Sequence, residues 1–208
     1  MFDIAGLWQP KLPIYADDKI ATFGSCFAQH FGRALVKKGY TWYSTEPSPP
    51  GLSSSSQQKF NYGVFSCRTG NIYTTSLLRQ WVEWATGKTS PPDEYWEKDG
   101  RFYDPFRPAI EPDGFETREE MERSRQHTIQ MFMEIIASSD VFVFTLGLTE
   151  SWFNKQGKYE YPMCPGTVAG EFDPKKHIFK NQDTGFVKEN LMKAIELIKE
   201  VNPKIRFL

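Results

Sequence analysis

The side chains best placed to do chemistry in this 208-residue chain are those of Ser25 and Cys26, a hydroxyl and a thiol directly after Gly24. They follow a short apolar run over residues 19–23 and precede a stretch, from Cys26 to Gly39, whose helical periodicity puts Phe27, Phe31, Ala34 and Leu35 on one inward face. At the carboxyl edge of a parallel sheet, such strand-to-helix turns open on the crevice where ligands bind. Gly24 lets the backbone turn sharply. Ser25 and Cys26 then stand at a helix N-terminus, where free N–H groups and the positive dipole end favour an anion. A thiol in that field is a better nucleophile at neutral pH, and the same N–H groups can hold the oxyanion of an acyl transfer. His30, one helical turn past Cys26, is near enough to exchange a proton with it. The plainer reading makes Ser25 a helix cap, Cys26 a small buried apolar group and His30 a surface hydrogen-bonder.

The elements that must position these groups read as an α/β fold. A second strand over residues 41–45, β-branched and aromatic, completes the opening of a βαβ unit. Residues 47–58, rich in Pro and Ser, read as a flexible loop, and residues 60–74 as a loop-rich segment containing Gly63 and Gly70. A helix over residues 75–86 turns Leu77, Leu78, Trp81 and Trp84 or Ala85 inward. Residues 90–114 contain five prolines and read as ordered surface loop. Thr117 opens a further helix with Glu120 completing a capping box, and that helix runs to about Ser138. Residues 141–146 (Val-Phe-Val-Phe-Thr-Leu) are the clearest strand, apolar as central parallel strands are, and Gly147 ends it. A loop with Trp152 follows, then a helix over residues 184–201 and a last strand over residues 205–208. A strand entering a sheet calls for a turn after it, so the fold is expected to continue past Leu208, with its C-terminal part missing from a single domain over residues 1–208.

Bulk properties narrow the function. The chain is 39% hydrophobic and 25% charged with a net charge of -1, which leaves no basic footprint for nucleic acid. No apolar run approaches the roughly 20 residues that cross a bilayer, and the first fifteen residues lack the charge-then-apolar pattern of a secretory signal. Cys26, Cys67 and Cys164 are odd in number and have no metal-ligand spacing, so reduced thiols in a cytoplasm are expected, with no metal and no cofactor.

Phe23-Gly-Ser-Cys-Phe-Ala28 is similar to the signature of the GSCFA family. The likeness continues through Phe60-Asn-Tyr-Gly-Val-Phe65, Arg68-Thr-Gly-Asn-Ile-Tyr-Thr74, Asp104-Pro-Phe-Arg-Pro108, Thr145-Leu-Gly-Leu-Thr-Glu150 with Trp152, and Cys164-Pro-Gly166. That family resembles the SGNH (GDSL-type) hydrolases, which implies a three-layer flavodoxin-like parallel sheet with helices on both faces and activity as an esterase or acyltransferase. By that resemblance the nucleophile position falls on Cys26 and the preceding Asp position on Ser25, a departure from Gly-Asp-Ser that leaves either side chain open as nucleophile. Gly147 to Glu150 stand where that superfamily has Gly-x-Asn-Asp, with Thr149 replacing the oxyanion-donating amide and Glu150 keeping a carboxylate. The second-block glycine is Gly63 or Gly70. Nothing matches the late Asp-x-x-His that supplies the base. His177, after Asp173, is the weak candidate in hand, and the expected place of the true base lies beyond Leu208.

Other residues carry paired readings. Arg68 and Arg107, in aromatic-flanked loops, can clamp a carboxylate or phosphate or tie loops together. Trp152 and Tyr73 can stack on a sugar ring or lie under loops; Asn71 can donate to an oxyanion or close a turn. Glu150 reads as an acid with a raised pKa or as a charge at a helix N-terminus. Cys67 and Cys164 read as structural. The expectation is an ester hydrolase or acyltransferase acting on a small-molecule or carbohydrate ester. Its rivals are a non-catalytic ligand- or glycan-binding domain and a Cys26/His30 thiol centre unrelated to esters.

Overall fold

The computed structural model describes residues 11–208. From β1 (Ile20–Phe23) the chain enters α1 (Cys26–Lys37), a short α2 (Ser54–Lys59) and α3 (Thr75–Ala85). A hairpin of β2 (Trp96–Lys98) and β3 (Arg101–Tyr103) leads to α4 (Arg118–Ser138) and β4 (Val141–Phe144). Then come β5 (Glu150–Asn154), β6 (Glu160–Tyr161), β7 (His177–Asn181), α5 (Thr184–Val201) and β8 (Arg206–Phe207).

The architecture is mixed α/β around a three-stranded parallel sheet of order β1-β4-β8. Ile20 faces Val141 and Phe23 faces Phe144 in register. Trp42 adds a parallel bridge to Ile20 on the free side of β1. The chain therefore leaves β1 in one direction towards Trp42 and in the other towards β4, which puts the topological switch point between β1 and β4.

Strand alternation sorts the side chains onto two faces. Ile20, Val141 and Val143 pack with Phe31 and Leu35 of α1. Ala21, Phe23 and Phe142 pack with Phe132 and Ile136 of α4, Trp81 of α3 and Leu197 of α5. Helix α1 lies close because its inner face is Ala28 and Gly32: a Cβ on Gly32 would sit 2.9 Å from the Trp42 indole nitrogen. That nitrogen donates to the Thr22 hydroxyl at 2.9 Å.

Several expectations are corrected here. Residues 41–45 make a single bridge rather than a strand, because the Thr45 N–H turns away to Ser66 and Pro47 has none to give. The loop of residues 47–58 contains the start of α2, capped by Ser53. In α1, Phe27 and Ala34 face outward, and Ala28 and Gly32 take the inner face. Residues 90–114 hold the β2–β3 hairpin, turned by Asp99 and Gly100 with φ of 51° and 71°, and the region after Gly147 folds into an antiparallel sheet of order β6-β5-β7.

Candidate functional site

The corner after β1 is shaped by a close approach. Gly24 has φ +135°, and a Cβ there would lie 2.0 Å from the Thr145 hydroxyl, so no other residue fits. Thr145, just past β4, donates its N–H to the Phe23 carbonyl at 3.0 Å, and its hydroxyl accepts from the Ser25 N–H at 3.3 Å. Ser25 is the N-cap of α1: its backbone is extended (φ -80°, ψ -170°) and its Oγ accepts from the Phe27 N–H. Cys26 opens the helix and is exposed.

A second segment joins this corner to the loop after β4. The Ile72 N–H donates to the Gly24 carbonyl at 2.9 Å, and the Tyr73 carbonyl accepts from the Leu148 N–H at 3.0 Å. A Cβ on Gly147 would stand 3.0 Å from that Tyr73 oxygen and 3.8 Å from the Ser25 Cβ. Residues 24–26, 70–73 and 145–148 thus converge at the carboxyl ends of β1 and β4. Gly70, with φ +71°, belongs to this junction, whereas Gly63 sits in open, exposed loop after α2.

The remaining candidates divide. Asn71 is in the junction, its Oδ1 accepting from Gln29 at 3.0 Å and its amide donating to the Tyr73 hydroxyl at 2.8 Å. Thr149 is exposed and donates its hydroxyl to Asn181 Oδ1 at 2.7 Å. Glu150 is exposed at the first position of β5, on a strand and not at a helix N-terminus. Trp152 packs against Phe172 and Phe179 across the antiparallel sheet. His30 is exposed, and its Nδ1 accepts from Arg33 at 3.1 Å.

His177 lies elsewhere. Asn181 pairs with Glu150 and His177 with Asn154, so His177 is four residues down the strand, about 13 Å at 3.3 Å per residue. It is buried against Tyr161 and accepts the Asp173 N–H at 3.0 Å; burial lowers its pKa. Arg107 is fully buried, bonded to Asp104 at 2.7 Å and Thr128 at 2.6 Å. Arg68 is buried, donates to Glu111 at 2.6 Å and to the Phe60 carbonyl, and stacks on Tyr62. Both guanidinium groups tie loops together. Burial pushes the Cys67 thiol well up, and the half-buried Cys164 thiol up as well.

Three further polar residues belong to this region. Gln29 follows Cys26 by three positions, the spacing that puts two side chains on one helix face. Asn181 reaches Thr149 only through strand pairing, which no local signal shows. Glu160, 2% exposed, has its carboxyl held by the hydroxyls of Thr74 and Ser76 at the start of α3. Burial pushes it up to about 7, against the pull of Ser76, Thr74, Ser151 and Lys180.

Among the described residues no group of His, Cys, Asp and Glu gathers to hold a metal ion, and no helix is long and apolar enough to cross a membrane. The model of the GSCFA family matches residues 19–208. No curated protein and no solved structure matches the chain.

Proposed function

The chain belongs to the GSCFA family, and from that premise we propose that it is an SGNH-like hydrolase or acyltransferase working on an ester, of an acylated carbohydrate, in the cytoplasm. The small parallel sheet, with α1 packed on one face and α3, α4 and α5 on the other, supports that reading. One observation carries the reading: the corner at residues 24–26, the Gly70 segment and the Gly147 loop meet at the switch point between β1 and β4, where α/β sheets bind ligands.

Cys26 is the nucleophile. Ser25 Oγ already accepts the Phe27 N–H as the helix cap, while the Cys26 side chain is exposed at the first helical position. The sulfur attacks the acyl carbon, forming a C–S bond and moving the carbonyl electron pair onto oxygen. The Cys26 N–H, left over once Ser25 has taken those of Phe27 and Ala28, and the backbone at Gly70 stabilise that oxyanion. Collapse breaks the ester C–O bond, and the proton given up by the thiol ends on the leaving alkoxide. Water or an acceptor hydroxyl then attacks the thioester and restores the thiol. Exposed Phe27, Leu146 and Leu148 flank Cys26 and Gly147 and offer apolar surface to an acyl chain.

A binding domain without catalysis is the second reading. It is favoured by the surroundings of Cys26: among the described residues no histidine or carboxylate hydrogen-bonds it, and the Thr149 proton points to Asn181. Labelling with a thiol-selective and a serine-selective acyl probe separates the two. Acylation of Cys26, lost in Cys26→Ala and kept in Ser25→Ala, supports the enzyme; labelling by neither probe favours the binding domain.

A further inference from the structure

Beside the junction lies a crevice of about 140 Å3 whose lining includes Gln29, Asn71 and Tyr73 on the polar side and Phe65, Pro108 and Met163 among its apolar residues. We propose that this crevice seats one uncharged, hydroxyl-bearing ring of the substrate, a sugar or similar polyol, read by the hydrogen-bonded chain Gln29–Asn71–Tyr73. The inference rests on the acyl-transfer reading for the role of the ring, as the alcohol side of the ester, and on the crevice itself for its chemistry.

Position comes first. Gln29 follows Cys26 by three residues on α1, which places their side chains about 5–6 Å apart on one face. Asn71 and Tyr73 flank Ile72, whose N–H holds the Gly24 carbonyl at 2.9 Å. A ring held by these residues lies within reach of the thiol.

Charge comes second. The charged residue in the lining is Arg107, and its guanidinium is committed to Asp104, Thr128 and Ser124. Among the described residues the crevice offers an anion no free cation and a cation no free carboxylate.

Polarity comes third. Gln29 Nε2 donates to Asn71 Oδ1, and Asn71 Nδ2 donates to the Tyr73 hydroxyl. Among the described residues the Tyr73 proton, the second protons of Gln29 Nε2 and Asn71 Nδ2, and Gln29 Oε1 are left unused. Turning both amides over reverses the direction and again leaves donors and an acceptor unused. A hydroxyl both donates and accepts, so a polyol satisfies both kinds of group. A carboxylate meets an acceptor it cannot satisfy, and an ammonium a donor it cannot satisfy. The volume is close to that of a cavity of about 150 Å3 that takes a benzene-sized ring, so it has room for one ring and not for a chain of them. The apolar residues suit the C–H faces of such a ring.

The test is an amide NMR titration of the whole chain with the methyl glycosides of glucose, galactose and mannose, and with the matching uronic acid and amino sugar. At least one neutral glycoside should shift the signals of Gln29 and residues 70–73, with its charged counterparts binding about tenfold more weakly. Tyr73→Phe and Gln29→Ala should each weaken the neutral glycoside about fivefold to tenfold without lowering the thermal midpoint. Binding of no neutral glycoside up to its solubility, equal binding of a charged ring, or unchanged binding in both variants would overturn the proposal. Cys26→Ala should keep the glycoside affinity. A chain that binds the ring but never acylates Cys26 refutes the acyl-transfer reading alone, and one that acylates Cys26 but binds no neutral ring refutes the subsite alone.

Discussion

Two helix N-termini stand side by side in this molecule, joined by residues 70–74, and they are finished in opposite ways. At α3 the cap is Thr74, which accepts the Leu77 N–H at 3.1 Å and gives its own proton to Glu160. Ser76 donates to the same carboxyl, and Gln80 grips the Glu160 main chain on both sides, at 2.8 and 3.0 Å. The positive end of that helix is thus occupied by the protein's own acid. At α1 the cap is Ser25, the first turn carries no acidic residue, and the first helical side chain, Cys26, is exposed. An N-terminus plugged from inside holds the fold together. One left open at the switch point between parallel strands is free to meet an anion formed on a substrate.

The comparison is broken most completely at Gly24. Gly24→Ala adds a methyl 2.0 Å from the Thr145 hydroxyl on a backbone at φ +135°. Overpacking and strain of 1–3 kcal/mol each predict a loss of about 4 kcal/mol, read as a drop in the urea midpoint, together with loss of any acylation at Cys26. A wild-type midpoint would show that the corner is looser than its contacts require.

The plugged end is tested by pH. Glu160 is raised from 4.5 to about 7 by burial, so the folded state binds its proton more tightly than the unfolded chain. The resulting stability is complete below about 4.5 and is lost as pH rises through about 7, a span of about 3 kcal/mol. Glu160→Gln should flatten urea stability between about pH 5 and pH 8 and leave the variant the more stable of the two at the alkaline end. A slope identical to wild type would place the titrating group elsewhere.

The caps give a smaller contrast. Thr74→Ala removes a cap and a carboxyl partner and should cost about 2 kcal/mol, against about 1 kcal/mol for Ser25→Ala, both measured by chemical denaturation. Cys26→Ala, at an exposed side chain, should change stability by less than about 0.5 kcal/mol.

The plugged and the open end differ in how far the sequence announces them. The corner is local: a β-rich run, a glycine, a cap and a helical stripe lie within twenty residues, and β1, α1 and Ser25 fall where their types put them. The helices α3, α4 and α5 and the strand β4 are equally local, since period and caps define them. The antiparallel sheet is not. Its strands β5 to β7 are short and separated by irregular turns, so the meeting of Thr149 with Asn181 and of Glu160 with Ser76 depends on pairing across distance. The β2–β3 hairpin did carry a local signal, the Asp99-Gly100 turn between aromatic residues, hidden by the surrounding prolines. Phe27 reads as an inward residue by its spacing, yet small Ala28 and Gly32 take that face because α1 must pass close to Trp42.

Whether the open N-terminus is a reaction centre is tested most directly by incubating the whole chain with p-nitrophenyl acetate, quenching in acid and mapping the acetyl group by mass spectrometry. One acetyl is expected on Cys26, released by neutral hydroxylamine as a thioester is, and absent in Cys26→Ala. An unmodified Cys26, with the acetyl on scattered lysines or nowhere, would contradict it.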